Sequence, residues 1–483
     1  MTQINNFING DYLAPEGNIY VSGINPSNGE PFYEVCASKE KDVMLAVAAA
    51  KEAFPAWSRT DAFERAKILQ RISELILENR DKLAKLESKD SGKPYRVARE
   101  LEIPRSAKNF SFFAAACTQL ASECHPVFGH SVNYTLRQPL GVVVCISPWN
   151  LPLYLLTWKI APALAAGNCV IAKPASITPL TAHFLTKLCQ EAGLPKGALN
   201  IIYGSGSDLS ETLCTHKDIK AISFTGGTET GAKIAQHVSP LFKKYSLEMG
   251  GKNSALIFAD CDFDKAVETT VRSGFSNQGQ ICLCMPRVLI EAPIYEKFKE
   301  AFIKKVSSLK IGDPMREDTD MGPLISFDHR NRVREHIKKA QLEGGRILCG
   351  GEEIHFSDDH LSKGFFMQPT VMEGIPINAK INQQEVFGPV VTLIPFSSEE
   401  EAVHASNSTS FGLAATLWTQ DIKRAHRLAE KIEVGIFWVN TWMLRDLRTP
   451  FGGMKSSGVG REGGLEAMRF FTEPKNVCID YSS

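Results

Sequence analysis

An α/β fold is what this sequence predicts, and three observations carry that expectation. From Gly141 onward, short apolar runs rich in β-branched residues alternate with segments of helical periodicity, the pattern of β-α-β units around a parallel sheet covered on both faces. A second alternation of the same kind begins near Ser254. The 483 residues, 43% hydrophobic and 22% charged, have ordinary globular composition and a length that suits two or three domains.

The elements follow in order. Apolar residues at helical spacing predict helices over Lys41–Phe54 and Ala62–Leu86. A third, Ala98–Ala121, is interrupted or begins near Pro104, where a backbone donor is missing. Strands are then expected at Val142–Ile146, Cys169–Lys173, from Leu199, and at Ala221–Thr225 and Tyr245–Met249. Between them lie helices at Leu155–Leu164, Leu180–Ala192, Leu209–Cys214 and Ala232–Val238. Two glycines in EMGGKN, Glu248–Asn253, mark a passage to a second α/β unit. That unit has strands at Ser254–Phe258, Arg287–Glu291, Pro389–Phe396, Leu413–Trp418 and Ile436–Asn440. Its helices are expected at Tyr295–Leu309, Asn331–Leu342, Glu399–Ala405 and Ile422–Ile432. The tail, aromatic and β-branched after a glycine-rich start, reads as an edge strand that pairs with another subunit.

Charge and cysteine usage narrow the class. Lys plus Arg equals Asp plus Glu at 54 each, so no overall field favours nucleic acid or an anionic membrane. Twelve cysteines without framework spacing suggest reduced thiols and a cytoplasmic protein, and MTQINNFING lacks the basic and apolar regions of a signal peptide. Gln138–Trp158 runs 21 residues without a charge, long enough for a bilayer span, but Pro139, Pro148 and Pro152 argue for a buried strand, a loop and a helix. No metal site is expected: Cys282 and Cys284 form C-x-C, not the C-x2-C of zinc sites.

The chemistry centres on FSNQGQICLC, Phe275–Cys284, which sets a cysteine after a glycine-punctuated run of amide side chains. An unperturbed thiol of pKa ~8.5 is only a few per cent thiolate at pH 7, so a nucleophilic cysteine needs polar backbone or a dipole nearby. Cys282 is the candidate nucleophile, weighed against the packing role that most free cysteines have; Cys284 is read as packing.

In SPWNLPL, Ser147–Leu153, the Asn150 amide stands on the loop beyond a strand's C-terminal end, where it can donate to an oxyanion, although Asn beside Pro is also a plain turn signal. Lys173 ends the next strand at the same sheet edge; its alternative is a solvated strand end. FTGGTETG, Phe224–Gly231, enters a helix and lets backbone approach a pyrophosphate, yet neither it nor YGSGSDL is the G-x-G-x-x-G fingerprint. Glu248 precedes Cys282 in the chain and no histidine is comparably placed, which suits a carboxylate base that activates water.

SPWNLPL, AKPAS, FTGGTETG, EMGGKN, FSNQGQIC, EVFGP at Glu385–Pro389 and PFGGMKSSGVGRE at Pro450–Glu462 stand in the order and spacing of the NAD(P)-dependent aldehyde dehydrogenase superfamily, which the chain resembles over nearly its whole length. The resemblance implies that family's fold. It comprises a Rossmann-like dinucleotide-binding domain (1–117 and 139–247), an α/β catalytic domain (248–450) and a small β oligomerisation arm (118–138 and 463–483) of a homodimer or homotetramer. It also implies the roles. Cys282 attacks an aldehyde, Asn150 and the Cys282 amide hold the oxyanion, and Glu248 activates water to hydrolyse the thioester.

For the cofactor the resemblance implies Lys173 at the adenosine ribose, Thr225, Gly226 and Gly227 at the pyrophosphate, and Glu385 at the nicotinamide ribose. Ser147, Trp149, Ser176 and Phe387 line the same cleft. Two positions depart from the common family strings, which have Glu where this chain has Ser176 and Ser where it has Gly227. A carboxylate at 176 repels a 2′-phosphate, whereas serine leaves Lys173 free to meet one, so NAD is expected with NADP as the alternative.

Arg105 in EIPRSAKNF and Arg445 in NTWMLRDL, with the run SPWNLPLYLLTWKIAPALAAGN, resemble the 2-aminomuconate and 2-hydroxymuconate semialdehyde dehydrogenases of tryptophan and catechol ring cleavage. There, paired arginines hold the substrate carboxylate. The alternatives are a solvated Arg105 and a surface ion pair of Arg445 with Asp446. Trp158, Trp442 and Phe451 are tunnel candidates by family position; dominant rings would instead suit apolar or aromatic aldehydes. Further alternatives are a catalytically silent protein on the same scaffold and a relative that passes the acyl group to CoA.

Overall fold

The computed structural model describes residues 2–352, 354, 356 and 360–482. Its largest sheet has eight strands in the order Gly458–Val459, Lys244–Glu248, Ile219–Thr225, Val142–Ile146, Cys169–Lys173, Leu199–Ile201, Asn6–Ile8 and Asp11–Leu13. The five central strands are parallel and the outer pairings antiparallel. Burial on both faces explains why VVVCI and CVIAK are continuous apolar runs rather than alternating ones. From Val142–Ile146 the chain builds outward through two strands, then crosses to Ile219–Thr225 on the other side. The carboxyl ends of these two adjacent strands, Ile146 and Thr225, therefore flank a topological switch point, the usual ligand crevice of an open α/β sheet.

A second, seven-stranded sheet runs Arg346–Cys349, Thr370–Glu373, Val390–Phe396, Arg287–Glu291, Ser254–Ile257, Ala414–Trp418 and Ile436–Val439, parallel except for its first pair. A separate antiparallel sheet joins Cys124–Val127, Ser131–Pro139 and Thr472–Asp480, and it leaves Thr472–Asp480 as an edge strand. Residues Gly464–Phe470, just ahead of that strand, form a helix packed on Pro152–Ala165.

Several elements differ from the sequence expectation. The helix expected over Ala62–Leu86 divides into Ala62–Glu78 and Arg80–Ser91. The reason is Asn79, whose Nδ2 donates to the Leu75 carbonyl at 2.9 Å and competes with the backbone ladder. The segment expected over Ala98–Ala121 starts as a π turn, Ala98–Glu102, in which the Ile103 amide reaches the Ala98 carbonyl; an α-helix follows over Ile103–Cys117. Pro104 sits in its first turn, where a missing donor costs least. The uncharged run 138–158 is the end of one strand, a second strand, a loop and the start of the buried helix Pro152–Ala165. No helix among the described residues is long and apolar enough to cross a membrane.

Candidate active site

The helix Phe263–Phe275 delivers the chain to Ser276–Gly279, where Asn277, Gln278 and Gly279 take left-handed φ values of 49°, 58° and 71°. Left-handed backbone is costly for residues with a Cβ, so the surroundings must hold it. They do so through the amides. Asn277 Nδ2 donates to the Asn150 carbonyl at 3.1 Å, and Gln278 Nε2 donates to the carbonyls of Pro323 at 2.7 Å and Gly92 at 3.3 Å. Gln280 Oε1 accepts from the Ile325 amide at 3.1 Å. At Gly279 an added Cβ would lie 2.2 Å from the Gly388 carbonyl, so the turn rests on the loop of EVFGP.

Past this turn Cys282 is half-buried, and its neighbours are anchored. Asn253 Nδ2 bonds the carbonyls of Cys282 at 2.7 Å and Cys284 at 2.8 Å, and Trp442 Nε1 bonds that of Leu283 at 2.8 Å. Trp442, a tunnel candidate, thus acts here as an anchor. Burial pushes the Cys282 thiol well up, with the carboxylates Glu385 and Glu248 adding to the rise and Arg445 opposing it. A base or a positive charge that reaches it would favour the thiolate. Cys284 is buried, and all twelve cysteines are free.

Asn150 is buried, and its Nδ2 gives one hydrogen to the Gln280 carbonyl at 2.8 Å. An amide nitrogen has a second hydrogen, which has no partner among the described residues, and Gln280 stands two residues before Cys282.

Glu248 ends its strand between Thr225 on one side and Gly458 on the other. Its carbonyl accepts from the Gly226 amide at 3.0 Å, and both carboxyl oxygens are buried without a hydrogen-bond partner. A Cβ on Gly452 would lie 2.5 Å from Oε1, which ties the glycines of PFGGMKSSGVGRE to this carboxyl. Burial raises the Glu248 pKa far above the carboxylate range, and Glu462 raises it further against Lys159, Arg461 and Arg445. Behind it, the buried Lys159 Nζ donates to Glu462 Oε1 at 2.5 Å and to Ser223 Oγ at 3.1 Å. Sequence reasoning passed over Lys159 and Glu462; the signal was a charge inside each of two apolar or glycine-rich motifs.

Around the switch point, Ser147, Lys173 and Gly226 stand at or just beyond the carboxyl ends of neighbouring parallel strands. Lys173 is buried, its ammonium has no hydrogen-bond or ion-pair partner among the described residues, and burial pushes that ammonium down to about 8. Gly226 and Gly227 lead into the helix Thr228–Val238, whose N-cap, Gly227, supplies no side-chain bond to the first-turn amides. A Cβ at Gly227 would meet nothing within 4 Å, so the departure to glycine is not forced by space and instead leaves those amides open to an anion. Ser147 Oγ is buried without a partner. Trp149 stands edge-on to Phe387 with ring centroids 5.3 Å apart. Glu385 Oε1 accepts from the Gly251 amide at 3.2 Å, and burial pushes its carboxyl up to about 7. An unpaired cation, open helix amides and unpaired polar oxygens fit a phosphate-bearing cofactor with ribose hydroxyls. Ser176 is engaged with Gly204, donating to its carbonyl at 3.1 Å and accepting from its amide at 2.9 Å.

The paired arginines meet at a residue that sequence reasoning did not single out. Arg445 Nη1 donates to the Tyr154 hydroxyl at 2.7 Å, and the Arg105 guanidinium lies over the Tyr154 ring, 5.9 Å from its centroid. Arg445 is sandwiched between Trp158, at 4.5 Å, and Phe451, at 3.8 Å, while its Nε and Nη2 are buried without partners. Trp158 and Phe451 are thus both buried as walls around a guanidinium. The expected alternative pairing with Asp446 does not form: Asp446 binds Arg448 at 2.7 Å, and that pair holds its carboxyl well below the usual range.

A topological switch point with a half-buried thiol, a buried amide and a buried carboxyl nearby suits a nucleotide-dependent oxidoreductase. The model of the aldehyde dehydrogenase family matches residues 12–477, and the chain belongs to that family. It is an NAD-dependent enzyme that oxidises aldehydes. It is 45% identical to 2-aminomuconic semialdehyde dehydrogenase of Mus musculus over 484 aligned residues, covering 100% of this chain and 99% of the relative. It is 42% identical to 2-hydroxymuconic semialdehyde dehydrogenase of Pseudomonas sp. (strain CF600), covering 99% of this chain and 100% of the relative. Among solved structures it superposes on the NAD+ complex of aldehyde dehydrogenase from Bacillus cereus with a TM-score of 0.96 and 37% identity, over 99% of this chain and 97% of that one.

Proposed function

We propose that this enzyme oxidises a short semialdehyde with a carboxylate at its far end, of the 2-aminomuconate or 2-hydroxymuconate class, to the dicarboxylic acid. The observation that carries the reading is Arg445: a buried guanidinium with Nε and Nη2 unpartnered, beside Arg105. A buried, unsatisfied cation is expensive unless an anion completes it, and a guanidinium fork matches a carboxylate. Named relatives support the same substrate class.

In the proposed mechanism Arg105 and Arg445 hold the carboxylate and fix the distance from that end to the carbonyl at Cys282. Cys282 Sγ bonds the carbonyl carbon as the thiol proton passes to solvent water, and the Asn150 Nδ2 hydrogen and the Cys282 amide stabilise the oxygen that becomes negative. The bound nicotinamide supplies the hydride acceptor. The thioester left on Cys282 is hydrolysed by water whose proton goes to Glu248, and Lys159 with Glu462 carries charge behind that carboxylate. Lys173, the Thr225–Gly227 turn and Glu385 hold the adenosine ribose, pyrophosphate and nicotinamide ribose, with Ser147, Trp149 and Phe387 along the cleft. NAD is the assigned cofactor; Ser176 leaves Lys173 able to meet a 2′-phosphate, which supports some use of NADP.

The domain division proposed is 1–117 with 139–247 for cofactor, 248–450 for catalysis, and 118–138 with 463–483 as an arm. The unpaired edge of Thr472–Asp480 supports assembly into a homodimer or homotetramer. The deciding experiment compares kcat and KM of the wild type, Arg105→Ala and Arg445→Ala on a muconic semialdehyde and on a neutral aldehyde. A selective rise in KM for the carboxylated substrate is expected. Equal effects on both substrates would sink the clamp in favour of apolar or aromatic aldehydes.

A further inference from the structure

Outside the reacting groups, the chain buries Lys93, Glu87 and Glu102 together, with the buried Asp90 near enough to feel the first two. Lys93 and Glu87 have fully buried side chains, and Glu102 is nearly so. Lys93 Nζ pairs with Glu102 in a very short contact and lies 3.5 Å from Glu87. Its remaining hydrogen bond goes to the Asn150 carbonyl at 2.9 Å. Glu87 Oε1 accepts from the Leu153 amide at 3.4 Å, so the ion cluster grips the Asn150 loop at both ends.

The same cluster reaches the other parts of the site. The Asn150 carbonyl also takes the Asn277 Nδ2 hydrogen at 3.1 Å, so that one oxygen joins Lys93 to the turn before Cys282. Gly92, next to Lys93, accepts from Gln278 of that turn at 3.3 Å. Glu102 closes the π turn and stands three residues before Arg105, and its carbonyl accepts from Ser106 Oγ at 2.8 Å. A π turn adds one residue to a helical turn, and such turns cluster at functional sites. Burying three charges gives little stability over apolar packing, because desolvation offsets most of the attraction. Orientation is what the arrangement supplies: two donors on one carbonyl fix the peptide plane from which the Asn150 side chain projects.

We propose that Lys93, seated between Glu87 and Glu102, is a positioning residue that aims the Asn150 amide at the oxygen of the reacting carbonyl. This rests on the oxyanion role of Asn150 given above. Lys93 touches neither substrate nor cofactor and acts only through the loop.

The test is a double-mutant cycle on the full-length enzyme, read as the rate of the first NADH burst, with NAD+ affinity measured separately by titration. Lys93→Met is expected to slow the burst about 10-fold or more with NAD+ affinity unchanged, since losing one oxyanion donor outright costs roughly 10²–10³-fold. On an Asn150→Ala background Lys93→Met should slow nothing further. Glu102→Gln, which keeps shape and volume, should slow the burst several-fold by the same route, and it carries the test if Lys93→Met does not fold. A loss retained in full on the Asn150→Ala background, or an unchanged burst with only a lowered Tm, overturns the inference. If Asn150→Ala itself leaves the burst intact, the oxyanion reading fails instead.

Discussion

Arg445 gives Nη1 to the Tyr154 hydroxyl at 2.7 Å, while the other arginine of the pair lies over the same phenol ring. Tyr154 therefore spaces two like charges without adding a charge of its own. Tyr154→Phe removes one hydrogen bond to a charged group and leaves the ring. The expected result is a KM for carboxylated semialdehyde raised about 10-fold, from the ~1.5 kcal/mol such a bond contributes. KM for a neutral aldehyde should stay within twofold, and steady-state assays on both substrates check it. Arg445→Ala should do more, roughly 10–100-fold on the same KM.

Replacing Cys282 by Ala should abolish oxidation, whereas Cys284→Ala, which removes a buried sulfur bonded only weakly to the Ser276 carbonyl at 3.9 Å, should keep most activity at some cost in Tm. Labelling with a thiol reagent supplies the check: the wild type and Cys284→Ala take up label with loss of activity, and Cys282→Ala shows no activity to lose.

Glu248→Gln should leave one NADH burst per active site and lower the steady rate about 10²–10⁴-fold, as expected for loss of a general base. The pH dependence follows from the direction of its shift. Burial and Glu462 raise the Glu248 pKa, so the folded enzyme keeps this carboxyl protonated to higher pH than a free one. A base must first lose that proton, so steady-state kcat should climb with pH as Glu248 ionises, and Glu248→Gln should lack that ascending limb. Profiles of kcat for the two enzymes decide it.

Stability should respond to pH through Glu102, whose carboxyl burial pushes up in the folded chain against the pull of the Lys93 ammonium. Since the folded pKa is the higher one, the native state binds the extra proton between the unfolded and the folded value. Stability from this group is complete below the ordinary carboxylate range and is lost as pH rises through the folded value. Thermal melts across that range should fall with pH in the wild type and fall less steeply in Glu102→Gln.

Much of this was legible in the sequence because the central strands are buried on both faces: VVVCI and CVIAK read as strands over the same residues the structure assigns. The candidate nucleophile, amide and carboxyl could be named from the sequence too, since each lies in a short motif at a strand or helix end. What escaped was either irregular or paired across long distance. The N-terminal strands Thr2–Ile4 and Asn6–Ile8 are three residues each, too short to show a period. Asn79 sits inside an unbroken helical pattern, and only its side-chain bond reveals the break. Lys159 meets Glu462 from more than three hundred positions away, and no spacing rule links them. Tyr154 reads as one more apolar residue of a buried helix until the arginines are seen around it.

Cofactor choice is open to a single substitution. Ser176→Glu places a carboxylate near Lys173 and should lower kcat/KM for NADP about 10-fold or more relative to NAD, through repulsion of the 2′-phosphate worth ~1.4 kcal/mol or above. Measuring both ratios in the two enzymes tests it; an unchanged ratio would show that Ser176 does not face that phosphate.

Thr225, Glu248 and Gly458 occupy one row across three neighbouring strands, so the proposed phosphate turn, the proposed base and a glycine-rich return share a single rung of the sheet. Strand side chains alternate faces, and sliding Lys244–Glu248 by one residue would turn the carboxyl of Glu248 to the opposite side. Insertions are therefore tolerable in the loops that lead into the row but not within it. Anyone grafting a new cofactor turn or a new C-terminal segment onto this enzyme must keep the count of residues to that rung, whatever side chains are chosen.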